Sequence, residues 1–169
     1  MPADNFALLL DLAKETSSEK RRELLRQITD VFLAPPVSAR TDRESALFDE
    51  IVGAVASDLE TQVRVELARK IARSRAPLGR TARRLAMDEI DVARPVIEES
   101  GALTESDILD VIQNKSQDHL LAVTKRPDIG EVVSSALVER GEDRVVVSLL
   151  ENRTARIDRA TFERVASRA

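Results

Sequence analysis

The chain has 169 residues, enough to bury roughly 70% of the surface its unfolded form exposes and to hold a core without staples. It carries no cysteine, a formal charge of −4 and four Phe as its only aromatics. That composition excludes disulfides and thiolate chemistry, makes the whole molecule no electrostatic trap for nucleic acid, and supplies few rings for stacking bases or sugars. No apolar run approaches the ~20 residues of a membrane span, and acidic Asp4 stands before Phe6 to Leu10 where an export leader would be basic. The absence of cysteine fits a reducing compartment, so a cytoplasmic protein without membrane contact is expected.

Apolar residues recur at helical spacing from the start, with Phe6, Leu9, Leu10 and Ala13 on one predicted face. A second helix carries Leu24, Leu25, Ile28, Val31 and Phe32, with Thr16 and Glu19 as its capping box and Pro35-Pro36 as its stop. Thr41 with Glu44 opens a third, over Leu47, Phe48, Ile51, Val52 and Val55, and Ser57 with Glu60 opens a ladder of Leu59, Val63, Leu67 and Ile71. Pro77-Leu78-Gly79 begins another helix ending near Met87, and Asp91 caps Val92 to Glu99, with Pro95 near the first turn and Gly101 as the stop.

Further on, the apolar sets are Ile108, Leu109 and Ile112, then Leu120, Leu121 and Val123, then Val132, Val133, Ala136 and Leu137 up to Gly141, then Val145, Val146, Leu149 and Leu150. A short helix over 158–167 closes the chain. Val145-Val146-Val147 also suits a strand, since β-branched residues favour one, but its neighbours keep helical spacing. Asp58, Asp88 and Asp118 each precede an apolar helix at 30-residue intervals, and Asp143 follows at 25. Such periodicity marks helix pairs that bury their stripes only against the next pair, so the expected fold is all-α, an antiparallel helix-pair solenoid forming an α-α superhelix. The aspartates read as helix caps and inter-repeat acceptors rather than ligands.

Three segments carry a resemblance: Val63-Arg64-Val65-Glu66-Leu67-Ala68, Asp91-Val92-Ala93-Arg94-Pro95-Val96-Ile97 and Ala136-Leu137-Val138-Glu139-Arg140-Gly141. With His119-Leu120 before the Lys125-Arg126-Pro127 turn, Leu149-Leu150-Glu151-Asn152 before Ala155, and Asp30 to Ala34, they resemble an uncharacterised, mainly alphaproteobacterial HEAT-like family known as domain of unknown function 2336. The resemblance runs from Phe6 to Ile157. It implies a HEAT-like fold and no activity, because no catalytic motif defines that family. The layout expected is one helical-repeat domain over 1–169: N-terminal helices at 1–57, HEAT-like repeats at 58–157 and a C-terminal helix at 158–169.

Candidate chemistry is sparse. His119, the only histidine, lies beside Asp118 at a helix start; it reads either as a phosphoacceptor or as a helix-start residue bonded to the preceding turn. Lys125 at i+6 is off its face and no histidine-x-x-lysine-glycine run occurs, which favours the second reading. No Gly-x-Ser-x-Gly turn, Gly-rich phosphate cradle or EF-hand-like loop is present, so no enzyme, cofactor or metal is expected. Glu98-Glu99, Glu105, Asp107 and Asp110 read as solvated helix faces.

Charge is uneven. From Arg64 to Arg84 there are eight basic residues against Glu66, and from Leu85 to Asp118 nine acids against Arg94 and Lys115. The expected binding surface is a basic helix face drawn from Arg64, Arg69, Lys70, Arg73, Arg80, Arg83 and Arg84, because guanidinium forks suit anions; ordinary solvation with pairing to the acidic neighbour is the alternative. The function expected is a non-enzymatic, regulatory protein-binding or adaptor module for an acidic or anionic partner. Alternatives are a nucleic-acid-binding HEAT-like protein, against which the missing Trp and Tyr and the net acidity weigh, a histidine phosphotransfer module using His119, and self-association through an uncapped C-terminal unit.

Overall fold

The structure is a computed structural model that describes residues 3–34 and 41–168, with side chains from residue 7 onward. Eleven α-helices and no strand occur among the described residues. The fold is therefore all-α, and the Val145-Val146-Val147 run is helical. The Pro35-Pro36 stop and the Phe6 side chain lie outside the described residues.

The chain divides into two compact units, Met1–Val96 with Ser100–Ala102 and Ile97–Glu99 with Leu103–Ala169. The first contains α1 (Ala3–Lys14), α2 (Ser18–Leu33), α3 (Asp42–Ala56), α4 (Thr61–Arg73) and α5 (Gly79–Ala86). Helix α1 packs on α2 and α3, α2 on α4, and α5 on α3 and α4. Leu9, Leu12, Leu25, Ile28, Phe48 and Val52 fill its centre, where the Phe32 and Phe48 rings stack with centroids 3.7 Å apart. Two details of the expected stripes are corrected. Leu9 and Leu12 carry the buried side of α1 while Leu10 and Ala13 face solvent, and Val31 on α2 is exposed.

Caps explain where these helices begin. Thr41 accepts the Glu44 amide while Glu44 accepts the Thr41 amide, the reciprocal pair expected from the sequence. The pair Thr16 and Glu19 does not form, because the neighbouring Glu15 carboxylate takes the amides of Thr16 and Ser17 and the helix starts after Ser17. Ser57 instead ends α3 with its amide on Val55, which moves the start of α4 to Thr61, beyond Glu60. Helix α5 lacks a local cap at Leu78. Asp49, buried on α3, supplies it from a distance by accepting the amides of Arg80 at 2.8 Å and Thr81 at 2.7 Å.

Helix α6 (Ile90–Glu99) begins after Glu89, two residues earlier than an Asp91 cap requires, and contributes to both units. The second unit continues with α7 (Glu105–Asn114), α8 (Gln117–Val123), α9 (Glu131–Arg140), α10 (Asp143–Glu151) and α11 (Arg159–Ala166). Contacts run in two rows, α7 to α9 to α11 and α8 to α10, with α7 against α8 and α9 against α10. Leu120, Val123, Leu137, Val145 and Leu149 are fully buried in this unit. Gly141 follows α9 at a position closed to other residues, since a Cβ there would collide with the Leu137 carbonyl oxygen and the Val145 side chain.

Candidate functional site: the basic face and the lone histidine

The eight basic residues of 64–84 do not form one free surface. Arg64 is partly buried on α4, where its Nε and Nη2 donate to Asp88 at 2.7 and 3.1 Å and Nη2 also reaches Glu89 at 2.8 Å. The Lys70 ammonium donates to Asp30, and Arg84 Nη1 donates to the Gly53 carbonyl and the Ser57 hydroxyl, each at 3.0 Å. These three of the expected seven-residue face also make contacts within the chain.

Exposed among the eight are Arg69 and Arg73 on α4, Arg75 in the turn that follows, and Arg80, Arg83 and Arg84 on α5. Arg69 and Arg73 stand four residues apart, hence on one side of the helix, with Leu67, Ala68, Ile71 and Ala72 buried on the other. Arg69 has no hydrogen-bonding or ionic partner among the described residues, whereas Glu66, one turn earlier on the same outer side, is held by a bidentate bond from Arg26. That bond raises the Arg26 pKa above its ordinary value, chiefly through the hydrogen bond to Glu66 and then its charge. The stripe thus presents cations with its one carboxylate already occupied.

His119 is only 4% exposed. Its Nδ1 lies 2.8 Å from the hydroxyl of Ser116, the N-cap residue of α8, as in the reading of a helix-start histidine bonded to the preceding turn. A phosphoryl donor reaches a ring nitrogen only if that ring faces solvent. Beside it, Asp118 points outward and accepts Arg144 Nη1 at 2.9 Å, with a raised Arg144 pKa as the result.

The spaced aspartates have a common role. Asp58 receives Arg21 at 3.5 Å, Asp88 receives Arg64 and Asp118 receives Arg144, each from a different helix. Asp88 also accepts the Glu89 amide at 2.8 Å ahead of α6. They serve as acceptors between helices rather than as caps.

A cleft of about 280 Å³ between the ends of α8 and α10 is lined by residues that include Thr124, Lys125, Ser148, Glu151 and Asn152. Its hydroxyls bond each other, Thr124 Oγ1 to Ser148 Oγ at 2.6 Å, and Asn152 is committed to backbone carbonyls. Among the described residues no group of three or more His, Cys, Asp or Glu gathers as metal ligands, and no helix is long and apolar enough to cross a membrane.

Two features escaped the sequence reading. Thr104 and Asp107 form a reciprocal cap on α7, a spacing readable as a capping box with Asp in the place of Glu. Phe162 stands 57% exposed on α11, and its charged neighbours Arg159, Glu163 and Arg164 were the available signal.

The model of a family described as an uncharacterised protein conserved in bacteria, domain of unknown function 2336, matches residues 92–169. That stretch holds most of α6 and all of α7 to α11. No curated protein and no solved structure matches the chain.

Proposed function

We propose that the chain is a non-enzymatic docking module, a HEAT-like helix-pair solenoid of the repeat layout read from the sequence, that receives an acidic segment of a protein partner on the Arg69 and Arg73 side of α4. The observation that carries this reading is the outward pair Arg69 and Arg73 on a stripe whose Glu66 is already bonded to Arg26. Two guanidinium groups one turn apart match carboxylates spaced along an extended or helical partner. Exposed charge of this kind contributes specificity and association rate more than affinity, which suits a regulatory contact.

The second unit supports the solenoid reading, since alternate helices pack in rows as stacked pairs do. The expected cytoplasmic location belongs to the same proposal.

The test is capture by the full chain of an acidic protein partner, identified from extract of a native bacterial host and then purified. Wild type should bind it, and Arg69→Glu with Arg73→Glu should not, while keeping the wild-type thermal midpoint. Unchanged capture by the folded double variant refutes the reading. Binding that collapses with salt in proportion to phosphate contacts, with nucleic acid as the captured species, would replace the protein partner by nucleic acid.

A further inference from the structure

Helix α3 packs on α5, and Ser45, Asp49 and Gly53 follow one another at four-residue spacing on one side of α3, all buried. Gly53 stands against Thr81, whose hydroxyl oxygen would lie 3.3 Å from an added Cβ. One turn earlier, Asp49 takes the amides of Arg80 and Thr81 at the start of α5. Ser45, a further turn back, has no such partner.

Ser45 is only 5% exposed. The Thr41 carbonyl accepts its amide at 3.1 Å, but its hydroxyl makes no hydrogen bond among the described residues. Unlike the sealed Ser134 oxygen, this one belongs to the lining of a cavity of about 360 Å³. A hydroxyl that is nearly buried and still unbonded calls for an occupant that bonds to it. The volume falls at the small end of ligand cavities, which run from roughly 300 to 1,000 Å³.

The rest of the lining says what that occupant carries. Asp42 and Glu50, eight residues apart on α3, stand about 12 Å from each other along the helix axis. Arg80 joins them from α5. All three side chains are exposed, and none makes a hydrogen bond or ion pair among the described residues. Carboxylates at that spacing cannot converge on one metal ion. Ala46 and Pro77 add apolar surface to the same lining.

Two separated carboxylates and one guanidinium, each unpaired, are the inverse of two cationic groups and one carboxylate joined by a short apolar stem. We propose that this cavity binds a diamino monocarboxylic acid of the lysine type. Its carboxylate meets the Arg80 fork, its two ammonium groups meet Asp42 and Glu50, and the Ser45 hydroxyl bonds to it at the floor. The site is separate from the Arg69 and Arg73 stripe.

Titration calorimetry of the full chain with L-lysine, 1,5-diaminopentane and hexanoate tests it. Lysine should bind, and the diamine, which lacks the carboxylate, and hexanoate, which lacks both ammonium groups, should each bind at least about tenfold more weakly, as the loss of a charged hydrogen bond implies. Arg80→Gln should weaken lysine by a similar factor without weakening the diamine, whereas Glu50→Gln should weaken both. Both replaced side chains are exposed, and the Arg80 amide keeps its bond to Asp49, so an unchanged thermal midpoint shows that each variant is folded. Absence of lysine binding at millimolar concentration, a diamine that binds as tightly as lysine, or lysine binding unaltered in the folded variants overturns the proposal.

Discussion

Arg64 on α4 grips Asp88, 24 residues further along the chain, through two of its guanidinium nitrogens, at 2.7 and 3.1 Å. The arginine side chain is 15% exposed and the aspartate 21%, so the pair is screened less than a surface bridge. Arg64 also reaches the Leu59 carbonyl and the Glu89 carboxylate. Arg64→Ala should therefore destabilise the protein by about 1–3 kcal/mol, the cost of leaving hydrogen-bonded groups partly buried without partners. Arg64→Lys should recover only part of it, because an ammonium cannot span both carboxylate oxygens. Urea denaturation of the three proteins checks both statements, and equal midpoints would refute them.

Asp49 acts as a cap from another helix. Asp49→Ala leaves the Arg80 and Thr81 amides without their acceptor and should cost about 1–2 kcal/mol. Asp49→Asn, with one acceptor oxygen for two amides, should fall between. Thermal unfolding ranks the series, and amide exchange should show the loss first at Arg80 and Thr81.

The Ser134 hydroxyl is the one buried side-chain polar atom without a hydrogen-bond partner among the described residues. Removing it takes away a desolvation cost and no bond. Ser134→Ala should leave stability unchanged or raise it by up to about 1 kcal/mol, whereas Thr124→Ala, which breaks the bond to Ser148, should lower it. A drop on Ser134→Ala in calorimetry would mean that the hydroxyl is bonded in solution.

Acid should loosen α11. The Asp158 carboxylate accepts hydrogen bonds from the Thr161 hydroxyl and amide, the latter at 2.7 Å, and these hold its pKa below the ordinary aspartate value. A depressed folded-state pKa means the contribution is present above the unfolded-state value and is lost as pH falls through the folded-state value. Stability should decline over that acidic window and level off below it. In Asp158→Asn, which retains a cap without titrating, the part of the slope belonging to this residue should vanish.

Local chemistry made most of the helices legible. The Thr41 and Glu44 cap, the start at Pro77-Leu78-Gly79 and the stop at Gly141 each depend on residues within a few positions of one another. The false starts at Thr16 and Ser57 arose because the motif does not say which carboxylate reaches an amide first. Glu15, directly adjacent, outcompetes Glu19, and the last turn of α3 absorbs Ser57. The contacts made within the chain by the basic face were hidden for a different reason. Asp30 and Gly53, which engage Lys70 and Arg84, lie 40 and 31 residues away, and no helical periodicity encodes a partner at that separation. Arg69 and Arg73 were legible as a pair because their shared side follows from spacing alone.

Asn152, at the end of α10, uses both ends of its amide. The nitrogen donates to the carbonyls of Thr124 and Arg126, each at 2.8 Å, while the oxygen receives the Thr154 amide at 3.0 Å and its hydroxyl at 2.8 Å. Such a junction demands a short group that gives protons on one side and takes them on the other. Aspartate has the shape but would set a negative oxygen against two carbonyls, and glutamine has the chemistry but an extra methylene. One side chain thus clasps the turn after α8 to the turn after α10, and the stagger between those two helices is written into a single amide.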